Sequence, residues 1–137
     1  MCLTNEGSET KINGAHETII CDLKNEKEIL KASNVIEKTC EGSLWAIVHN
    51  AFIVIDGFID FQDLDNYRET MEVNFFAIVS LNQKLLLLVK SYSLEAKNET
   101  TLISTEPRMV IVISVGGLVS LPGNAPYDAS NLFEKMH

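Results

Sequence analysis

Met109–Ile113, MVIVI, and the following Ser114–Asn131, SVGGLVSLPGNAPYDASN, decide how the rest of the chain is read. A run of branched and apolar residues after Pro107 predicts a buried strand, and Gly116-Gly117 ends it. Ser114 then stands at the carboxyl end of that strand. Open α/β sheets bind their ligands along this edge. Tyr127 follows thirteen positions later, just after Pro126 and at the start of an expected helix. Asn131 lies one helical turn further along the same face.

Working outward, the segment before this one supplies the sheet's other parts. Thr18-Ile19-Ile20-Cys21 sits at the centre of an expected strand, His16–Leu23. Asn25 offers an N-cap, with Glu28 three positions on as in a capping box. Ile29, Ala32, Ile36 and Cys40 repeat at helical spacing, and Gly42 is a natural stop. Leu44–Val48, LWAIV, reads as a second buried strand. Strand, helix and strand within about 30 residues make a βαβ unit, hence a parallel sheet and an α/β fold. Asp60–Glu72 reads as a short helix that Asn74 interrupts. Phe75–Lys90 is expected to form a long apolar helix, which Asn82-Gln83-Lys84 makes too short to span a membrane. Ser91–Pro107 is polar and aperiodic, a surface loop. It contains the glycosylation triplet Asn98-Glu99-Thr100, which has meaning only in a secretory lumen.

With 137 residues the chain has length for one domain with a real core. Its net charge of −8 argues against a nucleic-acid partner, which needs clustered Lys and Arg. Three cysteines, Cys2, Cys21 and Cys40, form no C-x-x-C pair and read as reduced thiols. His16, His49 and His137 make no metal spacing with a carboxylate or cysteine, so no metal site is expected. The polar start, MCLTNEGSETK, has no apolar stretch of a secretory signal. A cytoplasmic location is the matching expectation.

Serine at a strand end with tyrosine thirteen positions on resembles the short-chain dehydrogenase/reductase family, whose pattern continues Tyr-x-x-x-Lys. Here Asn131 stands in the lysine's place. Further motifs fit in order. Asp22-Leu23 at a strand end is similar to the acidic–apolar pair near the adenine ring. His49-Asn50-Ala51-Phe52 resembles Asn-Asn-Ala-Gly, and Glu72-Val73-Asn74 resembles x-Val-Asn, with Asn74 24 residues after Asn50. Leu121-Pro122-Gly123, Leu44-Trp45 and Cys2-Leu3-Thr4 with Gly7 resemble the branch holding the retinol and 17β-hydroxysteroid dehydrogenases. That branch is often found at the endoplasmic reticulum membrane.

The resemblance implies a single partial domain over 1–137. Its fold would be Rossmann-like, with a doubly wound parallel sheet lacking the first βαβ unit and the C-terminal part. It implies an NAD(P)-dependent oxidoreductase acting on a lipophilic alcohol or ketone, of hydroxysteroid or retinol type. Tyr127 would be the general acid or base, Ser114 would hold the substrate oxygen, and Asn74 would serve a water relay. Asp22, Leu23, Asn50 and Ala51 would line the cofactor, NAD or NADP. In the family the lysine's charge poises the tyrosine. Free tyrosine has a pKa of about 10, so a nearby cation is needed at working pH. Asn131 carries none, and Asn131→Lys is expected to restore it, the Asn131 amide pointing into the Ser114–Tyr127 cavity. The family's glycine motif, Thr-Gly-x-x-x-Gly-x-Gly, does not occur in the sequence, so there is no phosphate cradle at a helix N-terminus. A truncated or inactive copy with little cofactor affinity is therefore expected. The alternative is a non-catalytic interaction protein on the same scaffold, forming a homodimer through Phe75–Lys90 with Leu85 and Leu88 in the interface. On residue type alone each site residue has a plainer use. Ser114 would cap a turn, Tyr127 would be a helix-start aromatic and Asn74 would bend its helix.

Overall fold

The computed structural model describes residues 2–4, 18–96 and 106–134. Its strands are β1 (Cys2–Thr4), β2 (Thr18–Ile20), β3 (Ala46–His49) and β4 (Arg108–Ile111). They form two separate two-stranded sheets, β1 with β2 and β3 with β4. The first pair is parallel, with Cys2 opposite Thr18 and Thr4 opposite Ile20. In the second, Arg108 N donates to Trp45 O at 3.0 Å and Val112 N to His49 O at 2.9 Å. Residue numbers rise together along both strands, so this pair is parallel too. The expected strands near His16–Leu23, Leu44–Val48 and Met109–Ser114 are present, shorter or shifted by two or three residues. β1 falls in a segment that reads only as polar, and a three-residue strand has too short a pattern to register.

Helix α1 (Glu26–Thr39) begins at the predicted cap. Asn25 is extended, and its side-chain oxygen accepts from Lys27 N at 3.1 Å. Glu28 reaches further back than a capping box does. One oxygen takes the Asp22 N–H at 2.8 Å and the other the Asn25 amide at 3.0 Å. The carboxylate thus fastens the strand end to the first helical turn. Ile29, Ala32, Ser33 and Ile36 face the core. After Cys40 the chain reverses through Glu41 at φ 49° and Gly42 at φ 88°, left-handed backbone that glycine adopts without strain.

Helix α2 (Leu64–Met71), a π-helical turn (Glu72–Phe76) and α3 (Ala77–Ala96) form one continuous run. Asn74 therefore widens the helix where the sequence predicts a break. A π turn inserts a residue without losing the helical course, and such turns gather at functional sites. α3 also extends over Ser91–Ala96, residues expected to be loop; the glycosylation triplet lies outside the described residues. Joined in this way, Leu64–Tyr92 is long and apolar enough to cross a membrane by length and composition alone, against the expectation of no such span. The run also holds buried Thr70 and Asn74, both hydrogen-bonded within the protein, as a core helix does.

The chain divides into two compact units, Met1–Ile47 with Ser80–Val110, and Val48–Val79 with Ile111–His137. The first has an apolar core of Cys21, Leu23, Ile29, Ala32, Ile36, Leu81, Leu85, Leu88 and Val89. Leu85 and Leu88 are thus internal, only 3% and 7% exposed, while Leu86 and Leu87 face outward. This corrects the expectation that Leu85 and Leu88 form an interface. Across this unit the Lys84 ammonium and Ser80 hydroxyl bond the Glu26 carboxylate and hold it below the usual carboxylate range. Burial, with Glu28 and Asp22 nearby, pushes the Cys21 thiol up, so it is a poor nucleophile.

Candidate active site

The second unit has an unusual interior. Beside Val73, Ala77 and Ile78 it buries Thr70, Asn74, Asp128, Ser130 and Asn131. Buried polar groups cost free energy unless they are hydrogen-bonded, so their partners show what holds the site together.

Helix α4 (Ala125–Glu134) carries most of them. Asn124 N-terminal to it, Pro126 in its first turn and Gly123 at φ 88° before it mark a sharp helix start. Helical spacing then puts Tyr127, Ser130 and Asn131 on neighbouring positions of one face. Asn131 is fully buried. Its Oδ1 accepts from Ser114 N at 2.8 Å and its Nδ2 donates to Tyr127 O at 2.9 Å. Both ends of the amide are taken up by main chain, rather than pointing into a cavity with the Tyr127 phenol. One side chain thereby ties the end of β4 to the first turn of α4.

Ser114 begins a short 3₁₀ turn, Val115–Gly117, and its Oγ accepts from Gly116 N at 3.3 Å. That leaves the Ser114 hydroxyl proton to donate elsewhere. Gly117 lies against α4: a β-carbon there would come within 2.9 Å of Asn131 O. Asp128 accepts from Leu121 N at 2.7 Å with one oxygen. Its other oxygen has no hydrogen-bond partner and would meet a β-carbon on Gly116 at 2.3 Å. Backbone therefore excludes a side chain from Gly117, and one at Gly116 would have to displace the Asp128 carboxylate, so the small residues after Ser114 let it lie close to α4.

Asn74, fully buried in the π turn, uses all its side-chain groups. Oδ1 accepts from Ile53 N at 2.8 Å, and Nδ2 donates to Ile53 O and to Ser130 Oγ, each at 3.0 Å. It fixes the loop leaving β3, where Asn50 and Ala51 are exposed. Asp22 and Leu23 belong to the first unit. There Asp22 caps the turn before α1, accepting from Lys24 N at 3.0 Å, and Leu23 is in the core. The four residues Asn74, Ser114, Tyr127 and Asn131 are thus joined through one bonded network within the second unit. Ser130 belongs to it as well, and Asp128 lies beside it, bonded to Leu121 N. Their sequence signals were slight, a serine three positions after Tyr127 and an acid beside it.

The family model for short chain dehydrogenases matches residues 4–135. The chain belongs to the short-chain dehydrogenase family. Over 127 residues it is 26% identical to human dehydrogenase/reductase SDR family member 9, an alignment covering 89% of this chain and 36% of that protein. It is 30% identical over 95 residues to 17-beta-hydroxysteroid dehydrogenase type 6 of Bos taurus, covering 65% of this chain and 30% of that one. The chain therefore spans about a third of the length of these relatives. The fold matches that of NADPH-bound carbonyl reductase from chicken fatty liver with a TM-score of 0.75 at 21% identity, over 88% of this chain and 47% of the other. As in other members of the short-chain dehydrogenase family, the fold is Rossmann-type α/β; the small parallel sheets are a part of the full one.

Proposed function

We propose that the chain carries the substrate side of a short-chain dehydrogenase site, for a hydroxysteroid or retinol-like alcohol or ketone, and that hydride transfer has been lost from it. The observation that carries this is the Asn131 amide. It is uncharged, buried and bonded at both ends to main chain, at the position where the family's lysine supplies a cation. The steroid dehydrogenase among the relatives supports the substrate class, and NADPH in the carbonyl reductase supports a nicotinamide cofactor.

Tyr127 would exchange a proton with the substrate oxygen, and Ser114 would donate its free hydroxyl proton to the same oxygen. Asn74 and Asn131 act through others: they position Ile53, Ser114 and the first turn of α4. Exposed Asn50 and Ala51, on a loop that Asn74 holds fixed, suit the edge of a nucleotide. A bound nicotinamide would supply the hydride acceptor or donor. Phe52 stands where the family has glycine, and no glycine-rich phosphate cradle occurs in the sequence.

Titrating the chain with NADH and NADPH, followed by Trp45 fluorescence, is expected to give no saturable binding at millimolar cofactor. Micromolar affinity for either would contradict the loss. A non-catalytic protein that self-associates through the long helix is favoured by outward-facing Phe76, Leu86 and Leu87. Sedimentation of the chain with Leu86 and Leu87 changed to aspartate tests that reading: reduced self-association supports it, and an unchanged sedimentation profile contradicts it.

A further inference from the structure

We propose that Ser130 is a positioning residue that ties the Asn50–Ile53 loop to Tyr127. The proposal rests on the preceding assignment of Tyr127 to the substrate and Asn50–Ala51 to the cofactor.

A serine inside a helix commonly donates to a carbonyl three or four positions back, with no wider meaning. Ser130 does this, giving its proton to Tyr127 O at 2.7 Å. What sets it apart is the second bond. Its oxygen accepts from Asn74 Nδ2 at 3.0 Å, across 56 positions of sequence and from a different helix. Ser130 is fully buried, as is Asn74, so water does not compete for either.

The direction of each bond is fixed. A flipped Asn74 amide would set its oxygen against Ile53 O and its nitrogen against Ile53 N–H, like against like. Asn74 must therefore donate to Ser130, and Ser130 must donate to Tyr127. The Tyr127 carbonyl also accepts from Asn131 Nδ2. The residue bearing the phenol is thus held by two side chains, one bonded onward to Ser114 and the other, through Asn74, to Ile53. A shift of the loop on the cofactor side reaches the first turn of α4 through Ser130.

Amide hydrogen exchange by NMR on the full chain tests this without cofactor or substrate, so its outcome is independent of the catalytic assignment. The Ile53 amide is read against the Ile36 amide of α1, in the other unit. In Ser130→Ala, Ile53 is expected to exchange roughly tenfold faster with Ile36 unchanged, because local opening is easier without a global loss of stability. Ser130→Thr keeps the hydroxyl and should restore wild-type protection. Unchanged Ile53 exchange, a rise matched by Ile36, or equal effects of Ala and Thr would overturn the proposal. If Ser130→Ala does not fold, a folded Ser130→Thr with protected Ile53 supports it. Failure of both to fold overturns it, since side-chain volume and not the hydroxyl would then be what matters.

Discussion

Replacing Asn131 by lysine is expected to destabilise the chain by about 3 kcal/mol or more, although lysine is the family's own residue there. Lysine has three donors and no acceptor. The Ser114 N–H, which now donates to Asn131 Oδ1, would be left without its partner, at a cost of about 1–3 kcal/mol. The ammonium would occupy a position that is fully buried at present, and an uncompensated buried charge costs a further several kcal/mol. For a chain of this size the melting temperature should fall by roughly 10 °C or more. This reverses the outcome expected from the motif alone, that lysine restores the poised tyrosine. Thermal unfolding of Asn131→Lys checks it: a variant as stable as the parent would show that the two main-chain bonds of Asn131 are dispensable.

The second large effect is expected at Asn74. Asn74→Ala strips Ile53 of partners for both its N–H and its C=O, and takes from Ser130 the donor it accepts. It also leaves a void at a site with no solvent access. Together these should cost about 2–4 kcal/mol. Urea unfolding gives the value directly from the midpoint and slope. A change within about 0.5 kcal/mol would place Asn74 among ordinary surface positions. It would also remove the link between the β3 loop and α4.

Much of the α/β order was legible because strong patterns carried it. Met109–Ile113 is an unbroken apolar run, and Asn25 with Glu28 signals a helix start whichever partner the glutamate finds. The Ser114–Tyr127 spacing and the position of Asn74 pick out residues that the structure joins in one bonded network. What stayed hidden depends on groups that pattern does not encode. The π turn is a shift in backbone hydrogen-bond register, invisible to side-chain periodicity. β1 exists because Thr18–Ile20 lies beside it, a long-range pairing with no local sign. Leu85 and Leu86 are neighbours of identical type, yet one is core and one is surface; only the helix's packing tells them apart. For Asn131 and Ser130 the residue type was plain and the partner was not. An amide has four hydrogen-bonding sites, and sequence does not say whether they meet substrate or main chain.

Turnover decides most directly whether hydride transfer has been lost. The chain is incubated with a 17β-hydroxysteroid or retinol and with NAD or NADP, and reduced nicotinamide is followed by absorbance, with Tyr127→Phe beside it. The proposed loss predicts no product above the enzyme-free blank for either protein. Turnover by the parent chain that Tyr127→Phe abolishes would contradict it, and would show that a buried asparagine suffices where the family uses lysine.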